Sequence, residues 1–287
     1  MMVLQEDQGL SLSLHLPEDG FYQGTRFDRS GVFGSVRLGD RELCGPWLER
    51  YDPLAHDAVQ GPAEEFTAIG YEQAAPGERF LKIGVGWLLR PDEAPYDRFR
   101  LYPVADGGQW TVESAAASVR FCQELDGAYT YVKEVVLTGP SSFEIRHSLA
   151  ARMPLEGQVY NHNFFTMGRL SVGPSRALSF PFVPEGTWRA AYDGVAFVGN
   201  GIRFSRALQS GESVFSGDVH QRGGEGMPYA LTLSEGPLRV EIRGDHPVTH
   251  LVFWANHRVA CPEPYQAFSV APGDCFRWII QYQLYEV

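Results

Sequence analysis

The stretch Val159-Tyr160-Asn161-His162-Asn163-Phe164-Phe165 sets an imidazole between two amides, with a phenol before it and two phenyl rings after it. In an extended strand the side chains alternate, so Tyr160, His162 and Phe164 share one face while Asn161, Asn163 and Phe165 share the other. Such a face is a plausible wall for a sugar site: rings offer apolar surface to sugar C–H groups, and imidazole moves a proton near neutral pH. A second stretch, Cys261-Pro262-Glu263-Pro264-Tyr265, brackets a carboxylate with two prolines. Each proline fixes its own φ and biases the preceding residue toward extended geometry, so Glu263 is held rigidly. A rigid Glu facing a His would make an acid–base pair able to move two protons on one substrate. A third region runs from Gly45-Pro46-Trp47 to Glu64-Glu65-Phe66 and again mixes carboxylates with aromatic residues.

Each of these has a plainer reading. A strand histidine is by default a packed, hydrogen-bonded residue. That reading suits His147, which shares a face with Phe143, Ile145 and Leu149. Glu64 and Glu65 fit a solvated pair, and tryptophans such as Trp47 are more often core than sugar platform. A metal centre is not expected. His246 and His250 are four apart, but that spacing gathers ligands on a helix and this segment reads as strand. Cys44, Cys122, Cys261 and Cys275 form no C-x-x-C pair. No phosphate loop and no G-x-S-x-G elbow is present.

The elements that must position these residues read as strands. With 287 residues, 44% hydrophobic and 13% aromatic, and with 31 glycines and 19 prolines, the chain has ample core and many turns. Asp126-Gly127 joins Ser118–Leu125 to 128–138, the strongest short hairpin signal. Gly199-Asn200-Gly201 and Gly39-Asp40 mark two more hairpins. Residues 142–149 alternate as a half-buried strand, and the last run, 276–285, puts Trp278, Ile280, Tyr282 and Leu284 on one face. Helical periodicity is almost absent. The expectation is one all-β domain, residues 1–287, of antiparallel strands, as two packed sheets or a barrel. A net charge of −11 and the absence of a basic run disfavour nucleic acid and, mildly, a polyanionic substrate; a neutral ligand fits without difficulty. No apolar run approaches the roughly eighteen residues of a membrane span. The N-terminus lacks the features of a signal peptide and the cysteines are few and scattered, so a cytoplasmic location is expected. Oligomeric state is not legible.

The ordered motifs resemble the aldose 1-epimerases, the galactose mutarotase family. The His162 strand is similar to that family's N-H-x-Y/F-F strand, whose His is the general acid on the ring oxygen. Cys261-Pro262-Glu263-Pro264, followed by Ala271-Pro272-Gly273-Asp274 and a final strand, is similar to the family's C-terminal pattern. There the Glu is the general base on the anomeric hydroxyl. Tyr22-Gln23-Gly24-Thr25-Arg26-Phe27-Asp28 also looks like a divergent branch of the superfamily. The resemblance implies a large antiparallel two-sheet β-sandwich, the galactose mutarotase-like supersandwich. It further implies a carbohydrate substrate, no cofactor, and catalysis by His162 and Glu263; the arrangement to look for is the two side chains facing one another across an open cleft at a spacing that fits one pyranose ring. Two departures stand out. Where the family carries an Arg segment, the nearest match here offers Glu64 and Glu65; where it carries a second His, the nearest match is Lys82. The candidate substrate contacts are therefore Lys82, Glu64, Glu65, Tyr160, Asn163, Trp47 and Tyr265. The departures leave open a carbohydrate-binding protein without turnover, or another sugar isomerase or lyase using Lys82 or Tyr160.

Overall fold

A computed structural model describes residues 1–6, 9–168, 171–224 and 226–287. Among these the only helical piece is a single 3₁₀ turn, Pro17–Asp19. Everything else that is regular is strand, as the dense turn signals and missing 3.6-residue period require.

Two sheets form the body. The ten-stranded sheet runs Val195–Val198, Gly201–Phe204, Arg176–Ser179, Ala230–Glu235, Leu238–Gly244, Cys275–Glu286, Ser142–Ala151, Tyr129–Gly139, Ser118–Leu125, Gln109–Ser114. The six-stranded sheet runs Pro184–Trp188, Ser213–Gln221, His250–Asn256, Ala260–Val270, Leu155–Phe164, Gly61–Phe66. Pairing is antiparallel throughout both. The three expected hairpins form where their turn residues stand: Ser118 pairs Val136 across Asp126-Gly127, Val195 pairs Phe204, and Leu38 pairs Arg41. Smaller sheets of four strands (from Met2–Gln5 to Arg41–Cys44) and three strands (Arg79–Lys82, Gly86–Leu89, Val104–Asp106) flank this pair.

The two large sheets face each other across an aromatic core. Phe66 meets Tyr131 at 5.3 Å and Trp278 at 6.2 Å, and Phe165 meets Tyr282 at 6.4 Å between ring centroids. Tyr282 stacks on Phe143 at 4.4 Å. Trp278, Ile280, Tyr282 and Leu284 are all buried, as their alternation in the last strand requires. His147 is core as well, stacked on Trp278 at 4.4 Å.

Because side chains alternate, every strand of the six-stranded sheet sends half its residues into this core and half to the opposite face. That opposite face carries the cavity. The sheet is not exposed there: all six residues of Gly61–Phe66 are buried, and loops 17–31, 45–60 and 91–101 close over the face.

Candidate active site

The Leu155–Phe164 strand lies between Gly61–Phe66 and Ala260–Val270. Tyr160 pairs Tyr265, and Phe165 bridges Ala260, so the same register sets His162 opposite Glu263. The side chains meet: His162 Nε2 lies 3.2 Å from a Glu263 carboxyl oxygen. Phe164 stacks on the imidazole at 3.8 Å, and Phe27 packs edge-on at 5.6 Å. Both residues line a cavity of about 900 Å³ whose walls include Arg26, Trp47, His56, Arg98, Phe99, Arg189, Phe215, Trp254 and Tyr265.

The pair is buried, His162 to 3% exposure and Glu263 to 4%, and the burial sets its proton affinity. Desolvation pushes the Glu263 carboxyl up to about 8, against the pull of Arg26 and Arg98. Desolvation, with the charges of Arg26 and Arg98 added, holds His162 well below its ordinary range. The enclosed Nδ1 of His162 has no hydrogen-bond partner, so an imidazolium would leave an N–H unpaired there. Over the neutral range the proton therefore rests on the Glu263 carboxyl, and the imidazole beside it is neutral.

Behind the pair stands a carboxylate ringed by cations. Arg26 Nε donates to Glu65 at 2.6 Å, Lys82 Nζ donates at 3.3 Å, and Arg98 Nε lies at 3.8 Å. The Tyr160 hydroxyl also donates to Glu65 and in turn accepts from Arg26 at 2.9 Å and Arg98 at 3.1 Å. Burial alone would raise Glu65, but Lys82, Arg26 and Arg98 outweigh it and hold the carboxyl down at about 2. Burial lowers Lys82 to about 8 despite Glu65. This network locks Tyr160, which stacks on Tyr265 at 4.2 Å and so braces the cavity floor beside His162.

The expected site residues divide into three groups. His162, Glu263, Trp47 and Tyr265 line the cavity. Glu65, Lys82 and Tyr160 form the layer beneath it, with Lys82 1% exposed and spent on Glu65 and the Phe66 carbonyl. Glu64 and Asn163 point the other way. Glu64 accepts from Lys133 at 2.5 Å and from Asn161 at 3.0 Å within the core, and Asn163 donates to two backbone carbonyls. Strand alternation explains the split: adjacent Glu64 and Glu65 must face opposite sides of the sheet, so they are neither a solvated pair nor a common subsite. The spacing of His162 and Glu263 also differs from expectation. They stand 3.2 Å apart, and no sugar ring fits between them.

Arg26, Arg98, Arg189 and His56 were not among the expected site residues. Arg26 sits in the Tyr22–Asp28 stretch, whose resemblance to the superfamily was its only signal. The other three lie in loops or just past a strand end, where no periodicity marks them.

Comparison with known proteins bears on this geometry. No protein-family model matches the chain, and no curated protein does. Solved structures match along the whole chain. The Slr1438 protein from Synechocystis sp. PCC 6803 superposes with a TM-score of 0.59 at 16% identity, covering 100% of this chain and 96% of that one. A putative aldose 1-epimerase from Escherichia coli K12 gives 0.57 at 10% identity, covering 100% and 99%. The galactose 1-epimerase from Lactobacillus acidophilus NCFM gives 0.56 at 10% identity, covering 99% and 93%.

The chain has the galactose mutarotase-like fold.

Within that mutarotase-like sandwich the cavity occupies the outer face of the six-stranded sheet, over the strands that bear His162 and Glu263. Among the described residues no helix is long and apolar enough to cross a membrane.

Proposed function

We propose that the chain is an aldose 1-epimerase-like enzyme that interconverts the anomers of a sugar or sugar derivative. The observation that carries this reading is the His162–Glu263 pair, 3.2 Å apart on the floor of a cavity large enough for a sugar. The short spacing suits the reaction. The anomeric hydroxyl oxygen and the ring oxygen are bonded to one carbon, so two groups that touch each other can reach both from the same side.

The chemistry then balances on one shared proton. Transfer of the Glu263 proton to His162 Nε2 creates the reactive form, a carboxylate beside an imidazolium. Glu263 takes the proton of the anomeric hydroxyl, the oxygen's electron pair closes to a carbonyl, the bond from the anomeric carbon to the ring oxygen breaks, and the ring oxygen takes the proton from His162. Rotation about the next carbon–carbon bond presents the other carbonyl face. The ring hydroxyl returns its proton to His162 as it attacks, and the carbonyl oxygen recovers a proton from Glu263. Nothing is consumed and no cofactor is required. Trp47, Tyr265 and Trp254 supply apolar faces for the ring, while Arg26 and Arg98 are candidate donors to its hydroxyls.

The same reading takes residues 1–287 as one functional domain and the protein as cytoplasmic, which the four unpaired cysteines support. One feature favours a binding protein without turnover instead: burial keeps the Glu263 carboxyl protonated up to about 8, so little carboxylate is free to act as a base in the free protein.

His162→Asn and Glu263→Gln decide between them. Each removes one positioned proton transfer, typically worth about 10²–10⁴-fold. Anomer exchange followed by polarimetry or NMR across a panel of aldoses should fall by that much in each variant. Exchange that is no faster with the wild type than in buffer, alongside calorimetric binding of a sugar, would establish the binding protein.

A further inference from the structure

We propose that the cavity takes a sugar bearing an anionic group remote from its anomeric carbon, and that Arg189 is the residue that reads it. The inference rests on the mutarotase-like reading for the position of the anomeric carbon, at Glu263 and His162.

The cations of the cavity are not equivalent. Arg26 and Arg98 share Glu65 and both donate to the Tyr160 hydroxyl. The two other carboxylates of the wall, Asp57 and Asp97, belong to the His56 and Phe99 side: Asp57 lies 3.9 Å from His56, and Asp97 accepts from the Phe99 amide at 2.9 Å. Arg189 is different. Its side chain is exposed at the cavity rim, its guanidinium lies 3.7 Å over the centre of the Phe215 ring, and no ion pair among the described residues includes it. A stacked guanidinium is held flat with its donor fork free, the arrangement that recognises phosphate or carboxylate by paired hydrogen bonds. Over the whole chain the net charge of −11 suits a neutral ligand. In the wall Arg26, Arg98 and Arg189 stand against Asp57, Asp97 and Glu263, so the free guanidinium of Arg189, not the summed charge of the wall, is what favours an anion.

The sheet supplies a ruler. Phe215 pairs Trp254, and Val252, two residues before Trp254, pairs Glu263. Phe215 is thus two strands across and two residues along from Glu263, a separation on the order of 10–12 Å from the strand spacing and rise. A carboxylate attached directly to the ring falls short of that span unless Arg189 leans inward. A phosphate on the exocyclic carbon at the far end of a hexose comes closer to it. Both are anions on a sugar, and the ruler ranks the phosphate first.

Calorimetry on the full chain with a hexose, the matching hexose 6-phosphate and the matching hexuronate tests this without relying on turnover. One charge-assisted fork is typically worth about 10- to 100-fold in affinity. The phosphorylated sugar should bind tighter than the hexose by that factor, and Arg189→Gln should remove the difference. A preference for the hexuronate that Arg189→Gln removes would keep the anionic subsite and assign its anion as a carboxylate. Equal affinity for charged and neutral sugars, or a preference that survives Arg189→Gln, overturns the proposal. Tight, Arg189-dependent binding with no anomer exchange would sink the enzymatic reading while leaving the subsite standing.

Discussion

At the scale of single residues, burial and the charges of Arg26 and Arg98 set the proton affinity of both His162 and Glu263. Below the depressed range of His162 both ends hold a proton and no base is left. Above about 8 the shared proton is gone and no acid is left. The rate constant kcat/KM reports these groups in the free enzyme. It should form a plateau over the neutral range, with an acid limb below pH 6.5, the ordinary value for His, and an alkaline limb near 8. Background mutarotation is subtracted at each pH. A rate that climbs steadily through pH 9 would mean that Glu263 works alone as a base and that His162 is not the acid.

Strands decide which residues can cooperate, and the Gly61–Phe66 strand shows it most clearly. Glu65 anchors the layer under the cavity, whereas Glu64, one residue earlier, anchors the core. Glu64 holds Lys133, which among the described residues has only Asp28 as a second carboxylate, at 3.6 Å, and His147 Nε2 stands 3.3 Å from Glu64, close but outside hydrogen-bond geometry. Glu64→Leu leaves a buried lysine half-paired, a change typically costing about 3–5 kcal/mol. Urea unfolding should show that loss, and replacing Lys133 with Met in the same chain should recover much of it. The folded fraction should keep its kcat/KM, because Glu64 does not face the cavity. A variant that unfolds normally but fails in turnover would return Glu64 to the site. The same strand marks what sequence could and could not disclose. Hairpins were legible because Asp126-Gly127 and Gly39-Asp40 encode their turns locally. The face carrying His162 was legible because alternation assigns it. The roles of Glu64 and Glu65 were not, since a strand buried on both sides carries no hydrophobic alternation. Arg26, Arg98 and Arg189 were hidden for a different reason: tertiary closure, not any local pattern, brings their segments to one cavity.

At the scale of the whole molecule, the cavity is assembled from residues as distant as Arg26 and Tyr265, so its charges act on global stability. Their signs differ. Glu65, held at about 2, contributes stability above its ordinary value of 4.5 that is lost as the pH falls toward 2. Glu263 works in the opposite sense. Its folded value, about 8, exceeds its ordinary 4.5, so the folded state keeps a proton that the unfolded chain has released. Between those two pH values each added unit should cost the fold up to about 1.4 kcal/mol on this account, with no further loss once both states are ionised. Glu263→Gln removes the titration and leaves a neutral side chain of similar shape. The variant should match the wild type near pH 4.5, gain on it steadily up to about pH 8, and hold a constant lead above that. Urea unfolding of both proteins at successive pH values measures the difference directly. A wild type that stays level with Glu263→Gln from pH 5 to 8 would mean that Glu263 is ionised in the fold, and the single shared proton would then have to be carried by His162 alone.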